Sequence, residues 1–173
     1  SLRARLLDTF IRLPNGANIA FYEQGALSFD EVSAVSVLPR SRGVGTVDVV
    51  VASGSGQPSE ELLEALEEYF QSRREIAVDV QVLSPEEVSL SLSIQVKAED
   101  GLETTAVCTQ VKNTLEAWFS GERLGQDILL VQLGSLIYSC EGVANYKILS
   151  PAADVSIEAD QLPVLSAVSV EAM

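Results

Sequence analysis

Histidine is absent from the 173 residues. That excludes Ser-His and Cys-His nucleophile pairs, His-ligated zinc and imidazole general bases within this chain. Cysteine occurs twice, as Cys108 and Cys140, too few for a four-cysteine zinc site or a disulfide framework. Both lie in apolar patterns and read as buried, reduced thiols; a single bridge or a reactive thiol is the functional alternative. The only lysines are Lys97, Lys112 and Lys147. As amine bases or Schiff-base formers they are poorly placed, because each sits among polar or alternating positions that face solvent. Long apolar runs are also missing, and stretches such as 128–131 are far too short to span a bilayer. No basic segment followed by an apolar one opens the chain, so no signal peptide is read. The chain begins with Ser1 and its single methionine is Met173, which reads as a fragment or processed form of a longer protein.

What is present is acidic and well able to fold. Hydrophobic residues make up 47% and charged residues 21%, a composition that supports one generous core or two small ones. Acidic residues outnumber basic ones 25 to 11, for a formal charge of −14. Such a surface repels phosphate backbones and anionic headgroups, so nucleic acid and membranes are excluded as expected partners. Protein partners, basic or matched by shape, are favoured instead.

Periodicity predicts helices over 2–12 and 17–27, separated by Pro14-Asn15-Gly16, then a short strand near Val32 to Leu38. Pro39 to Gly45 reads as a turn-rich hinge and 46–52 as a buried strand. Ser59 is a plausible N-cap for a helix over 60–74, with Glu60 and Glu61 at its positive end and Arg73 and Arg74 at its negative end. A strand over 76–83 completes a βαβ-like unit. Ser84-Pro85-Glu86-Glu87 marks a boundary. Beyond it, Val88, Leu90, Leu92, Ile94 and Val96 alternate with Ser89, Ser91, Ser93, Gln95 and Lys97, the pattern of a half-buried strand. Helix 103–119 buries Val107, Val111, Leu115 and Trp118. A short strand near 128–130, a helical turn through Leu133, Leu136 and Ile137, and a strand from Val143 to Leu149 follow. Two closing strands are expected near 154–158 and 164–171.

Several clusters invite a chemical reading, and each has a plainer one. Gly54-Ser55-Gly56 lies between strand and helix like the start of a dinucleotide fingerprint. Ser59 stands where the third glycine belongs, and Glu60 and Glu61 oppose an anion at the helix start; a connecting loop is the simpler reading. Glu60, Glu64, Glu67, Glu68 and Gln71 line one helix face, the pattern of a solvated surface more than of a carboxylate pair. Asp154, Ser156, Glu158 and Asp160 share one side of an expected strand, where a polar sheet face is simpler than a calcium site. Trp118 and Phe119 fit core packing, or an anchor for a partner. No catalytic, cofactor-binding or metal-binding residue is assigned and no cofactor is expected.

The order of motifs carries more than any one of them. The run Val35-Ser36-Val37-Leu38-Pro39-Arg40-Ser41-Arg42-Gly43-Val44-Gly45-Thr46-Val47-Asp48-Val49-Val50-Val51 resembles the V-x-V-x-P-x-x-x-G-x-G-T-V-x-V segment of baseplate J-like proteins. The helix opening at Pro58-Ser59-Glu60-Glu61-Leu62-Leu63, the stretch Ser72-Arg73-Arg74, Ser84-Pro85, Gly125 to Leu133, Glu141-Gly142-Val143, Ser150-Pro151 and Leu162 to Val170 follow in the family's order. Upstream, Leu2-Arg3-Ala4-Arg5 and Pro14-Asn15-Gly16-Ala17-Asn18 fit as well. One departure is Glu75, where the family would place a proline. The resemblance implies a wedge component of contractile-tail baseplates in phages, prophages and tail-like particles. It also implies that the protein is no enzyme, that its partners are other baseplate and tail proteins with self-association as a further contact, and that it is made in the bacterial host cytoplasm.

The expected architecture is α+β, with two small sandwich-like units of mixed sheet. Residues 1–85 form the first, with helices and the βαβ-like unit, and 86–173 the second. The alternative is one ferredoxin-like βαββαβ core over 46–131, pairing strands 76–83 and 88–97 as a hairpin, since a four-residue link suits either. The alternative function is a small-molecule or nucleotide-binding module built on the βαβ core.

Overall fold

The computed structural model describes residues 18–173; the helix expected over 2–12 and its Pro14-Asn15-Gly16 stop lie outside them. The fold is α+β, and the chain divides after Pro85 into two compact units.

In the first unit, helix α1 (Ile19–Leu27) starts where the Asn18 side chain accepts the Phe21 N–H at 2.9 Å. Strands β1 (Val32–Pro39) and β2 (Thr46–Ser53) form an antiparallel pair. Helix α2 (Glu60–Gln71) then crosses back to β3 (Asp79–Leu83), which pairs parallel with β2, giving a sheet of order β1-β2-β3. The Val-rich centre of β2 is buried from Asp48 to Ala52, as a central strand requires. Against it pack Tyr22, Ala26, Leu62, Leu66, Phe70 and Val80. The Phe70 ring meets Tyr22 at a tilt and Tyr69 edge-to-face, with centroids 5.4 and 5.3 Å apart. Gly25 makes room for them: a Cβ there would lie 2.8 Å from the Phe70 ring.

In the second unit, β4 (Glu86–Ala98) lies between antiparallel β5 (Val143–Ser150) and parallel β6 (Gln161–Ala172). The alternation read in the sequence places Leu92, Ile94 and Val96 in the core. Helix α3 (Thr104–Trp118) covers them with Val107, Val111 and Leu115, four residues apart on one face. A 3-10 turn (Gly121–Arg123) leads on to α4 (Leu130–Tyr138), which buries Leu133 and Ile137.

Several expectations need correction. β3 and β4 lie in different sheets, so the hairpin of the ferredoxin-like alternative does not form. Helix α2 stops at Gln71, with Ser72 as its C-cap. Arg73 and Arg74 therefore lie beyond the helix, although Arg73 still donates to the Tyr69 carbonyl at 3.3 Å. Residues 74–78 turn rather than extend, the Val78 N–H bonding back to Glu75 at 3.1 Å, and Ile76 is fully exposed. Near 128–130 only Ile128 makes a bridge, to Val155, because Leu130 already begins α4. No strand covers 154–158. There the backbone meets side chains instead of a ladder, the Ile157 N–H donating to Asp127 at 2.8 Å.

Candidate interaction surfaces

The ionisable and thiol side chains do not converge on one site. Lys97, Lys112 and Lys147 are all exposed, and Lys112 only approaches Glu116, one turn along its helix, at 4.0 Å. Among the described residues no three His, Cys, Asp or Glu side chains gather in a metal-binding arrangement. Asp154 is already engaged: its carboxylate accepts the Leu130 N–H at 2.7 Å, capping α4 from a distance in sequence. Cys140 is buried and its thiol points to the Leu136 carbonyl at 3.4 Å. Cys108 is half-buried, not buried as expected, and burial still pushes its thiol above the ordinary value.

The glycine loop after β2 is closed on itself. Ser53 and Gly56 exchange two backbone hydrogen bonds at 2.9 Å each, so the Gly56 N–H is spent. Ser53 Oγ donates to the Gln57 carbonyl at 2.9 Å. The shallow depression beside this loop is walled by Asp30 and Glu31, a poor setting for phosphate. Ser59 Oγ accepts the Leu62 N–H at 3.2 Å and serves as the helix cap.

The segment Pro39–Gly45 is a bonded turn, not a hinge. Arg40 N–H donates to the Thr46 carbonyl at 2.8 Å and Asp79 N–H to Gly45 at 2.8 Å. Gly45 needs its φ of 84° for this, and a Cβ there would press on the Ala77 carbonyl at 3.3 Å. Arg42 locks the turn to the sheet through Asp48 and Asp79, and Ser41 Oγ also donates to Asp48. Asp48 is the one buried charged residue among those described. At the tip, Val44 projects into solvent, 92% exposed.

Sheet edges differ in how they are finished. On β3, the Val82 N–H donates to Glu67 Oε2 at 2.9 Å. Gln71 Nε2 donates to the Val80 carbonyl at 3.1 Å, and Arg74 to the Val78 carbonyl at 2.6 Å. Side chains from α2 and the turn after it thus occupy groups that an added strand would need. Glu67 and Gln71, read in the sequence as part of a solvated face, close an edge. In the second unit β5 and β6 are the edge strands, and residues 164–172 of β6 contain neither proline nor a basic residue.

The second unit also carries exposed apolar groups on α4, where Val131 is 74% and Tyr138 61% exposed. Beside α4 lies a cleft of about 330 Å³ lined by Trp118, Arg123, Gln132, Ser135, Leu136 and Ser139. Trp118 is half-buried against the core and stands edge-on to Phe119 at 5.0 Å. Its other neighbour is Arg123, whose guanidinium carbon lies 4.6 Å from the indole centroid. The sequence marked the tryptophan but not its arginine, which only the 3-10 turn brings into place. No helix of the described residues is long and apolar enough to cross a membrane.

The division of the chain agrees with what it is similar to. Residues 14–84 match the model of the Baseplate J-like central domain, and residues 90–171 that of the Baseplate J-like protein C-terminal domain. No curated protein matches the chain. Among solved structures, it is similar to a chain in the cryo-EM structure of the anti-feeding prophage (AFP) baseplate, six-fold symmetrised, with a TM-score of 0.68 and 9% identity. The likeness, one of fold, covers 86% of this chain and 37% of that chain, so this chain spans well under half of that neighbour's length. With the two domain matches taking in nearly all of its residues in the order central then C-terminal, the chain belongs to the baseplate J-like family.

Proposed function

We propose that this protein is a structural component of a phage-type contractile-tail baseplate, a wedge part that works through contacts with other baseplate and tail proteins and not by catalysis. The match of both units to baseplate J-like domains carries this reading. The physical picture accords with it. Ionisable groups on the surface are dispersed or already bonded to the backbone, while Val44, Val131 and Tyr138 stand out to meet neighbours. The net charge of −14 disfavours DNA, RNA and anionic membranes and favours partners fitted by shape or basic charge. Contacts between copies belong to the same reading, with the edge strand β6 as the available surface. Synthesis and assembly take place in the bacterial host cytoplasm before the part joins the tail.

Deleting the gene tests this. Tails lacking baseplates, and the protein co-purifying with intact particles from the parent strain, are the expected results. Normal particles from the deletion strain would refute the proposal. The alternative, a nucleotide- or small-molecule-binding module, predicts a thermal shift with millimolar nucleotide or phosphate, which the self-bonded Ser53–Gly56 loop argues against.

A further inference from the structure

We propose that the cleft between Trp118 and α4 receives an aspartate or glutamate side chain from a partner protein, with Arg123 as its cation. The inference rests on the assembly reading and names a chemistry for one of its contacts.

Arg123 is the oddest charged residue in the second unit. Its side chain is mostly withdrawn from water, with 19% exposed, yet among the described residues its only ion-pair neighbour is Glu122 at 3.9 Å. That distance is at the outer limit of an ion pair, and Glu122 itself is 67% exposed, so the attraction is screened and small. The Nε–H is shielded from solvent and has no acceptor; it is the one such side-chain atom among the described residues. A buried donor without a partner is costly and calls for an explanation. The guanidinium is also held in place from one side, by the Trp118 ring at 4.6 Å, so an incoming carboxylate meets a cation that is already oriented.

The rest of the lining suits the same occupant. Gln132 and Ser135 on α4 and Ser139 at its C-cap present polar groups around the mouth, while Trp118 and Leu136 form apolar walls. Ser139 Oγ is turned to the Leu136 carbonyl at 2.7 Å, leaving Gln132 and Ser135 as the further donors. Tryptophan and arginine beside each other in a concave site are the composition of an interface anchor. A second copy of this chain is a poor source of the carboxylate, since two bodies of charge −14 repel. The better source is a single acidic residue in an otherwise apolar or basic stretch of a different protein.

Trp118 is the only tryptophan, so its fluorescence reports on this cleft without labelling. The probe is the peptide acetyl-Gly-Leu-Glu-Leu-Gly-amide, with the Glu-to-Gln peptide as control. Saturable change in Trp118 emission with the first and not the second is expected, weakening as salt is raised. Arg123→Gln should reduce affinity about tenfold or more. Because that variant removes a largely buried side chain, Glu122→Gln provides an independent arm on the exposed rim. It removes the internal competitor and should tighten binding by about two- to fivefold, the worth of one exposed ion pair. No saturable response, equal response to both peptides, or no change in Glu122→Gln would overturn the proposal. So would an emission change that depends on protein concentration without peptide, which would place a second copy in the cleft. Such failures leave the gene-deletion result untouched, and the two readings fall separately.

Discussion

Arg42 Nε donates to the carboxylate of Asp48 at 2.6 Å, and the same guanidinium reaches Asp79 through a terminal nitrogen at 2.5 Å. One side chain thereby ties the β1–β2 turn to the central strand and to β3. The Asp48 side chain is only 7% exposed, so its charge depends on Arg42 and Ser41 for compensation. Asp48→Asn keeps the shape and removes the charge; it should cost about 1–3 kcal/mol in urea unfolding of the first unit. Arg42→Ala should lower the melting temperature further, because the carboxylate then stays buried without its cation. Equal stability of Arg42→Ala and the parent would show that the turn holds without the staple.

The closed edge of β3 gives a second expectation. Glu67→Ala with Gln71→Ala frees the Val82 N–H and the Val80 carbonyl, leaving an unguarded strand. The double variant should self-associate in sedimentation velocity as concentration rises, more than the parent does. Glu64→Ala, at an exposed position of the same helix, removes the same single negative charge and serves as the control. If it behaves like the double variant, charge and not edge capping is responsible.

Gly134, in α4, faces Tyr146 of β5 so closely that an added Cβ would collide with the phenol oxygen and lie 2.9 Å from Cζ. Gly134→Ala raises helix propensity and would stabilise an open surface. Here overpacking wins, and destabilisation of about 1–3 kcal/mol is expected. Combining it with Tyr146→Phe, which removes the oxygen, should recover part of the loss in the same denaturant titration.

Burial raises the Cys108 thiol above its ordinary 9.0. Burial also raises the Tyr22 phenol above 10.0, with Glu75 adding to the effect and Arg74 opposing it. In each case the folded state favours the neutral form. The associated stability is whole below the unfolded-state value and is lost as pH rises through the folded one. Melting temperature should therefore fall as pH climbs past 9.0, and Cys108→Ser should remove part of that fall. At neutral pH, iodoacetamide should modify Cys108 several-fold more slowly than a cysteine in an unfolded peptide, and Cys140 more slowly still, as read by mass spectrometry.

Hydrophobic spacing made most of the architecture legible. The alternation from Val88 to Val96 and the four-residue stripe of Val107, Val111 and Leu115 each have a single way to bury their apolar side. The order of the motifs points to the family without reference to the fold. Polar side chains were less readable, because their partners lie far away in sequence. Asp154 looked like one face of a strand and instead caps α4; Glu67 looked solvated and instead serves β3. Residues 154–158 alternate as a strand does, yet their backbone is satisfied by Asp127 and by one bridge to Ile128. The Trp118–Arg123 stack depends on a 3-10 turn that periodicity does not signal.

The parallel register of β4 with β6 runs from Glu86 opposite Gln161 to Val96 opposite Ala172. A pull applied to the chain at Glu86 and Ala172 slides these strands lengthwise past each other, because the load enters at opposite ends of the ladder. The slanted, evenly spaced hydrogen bonds of such a pair then share tension together instead of parting one by one. Load entering at Glu86 and Ala172 therefore meets the second unit along a line on which the β4–β6 ladder resists as a whole.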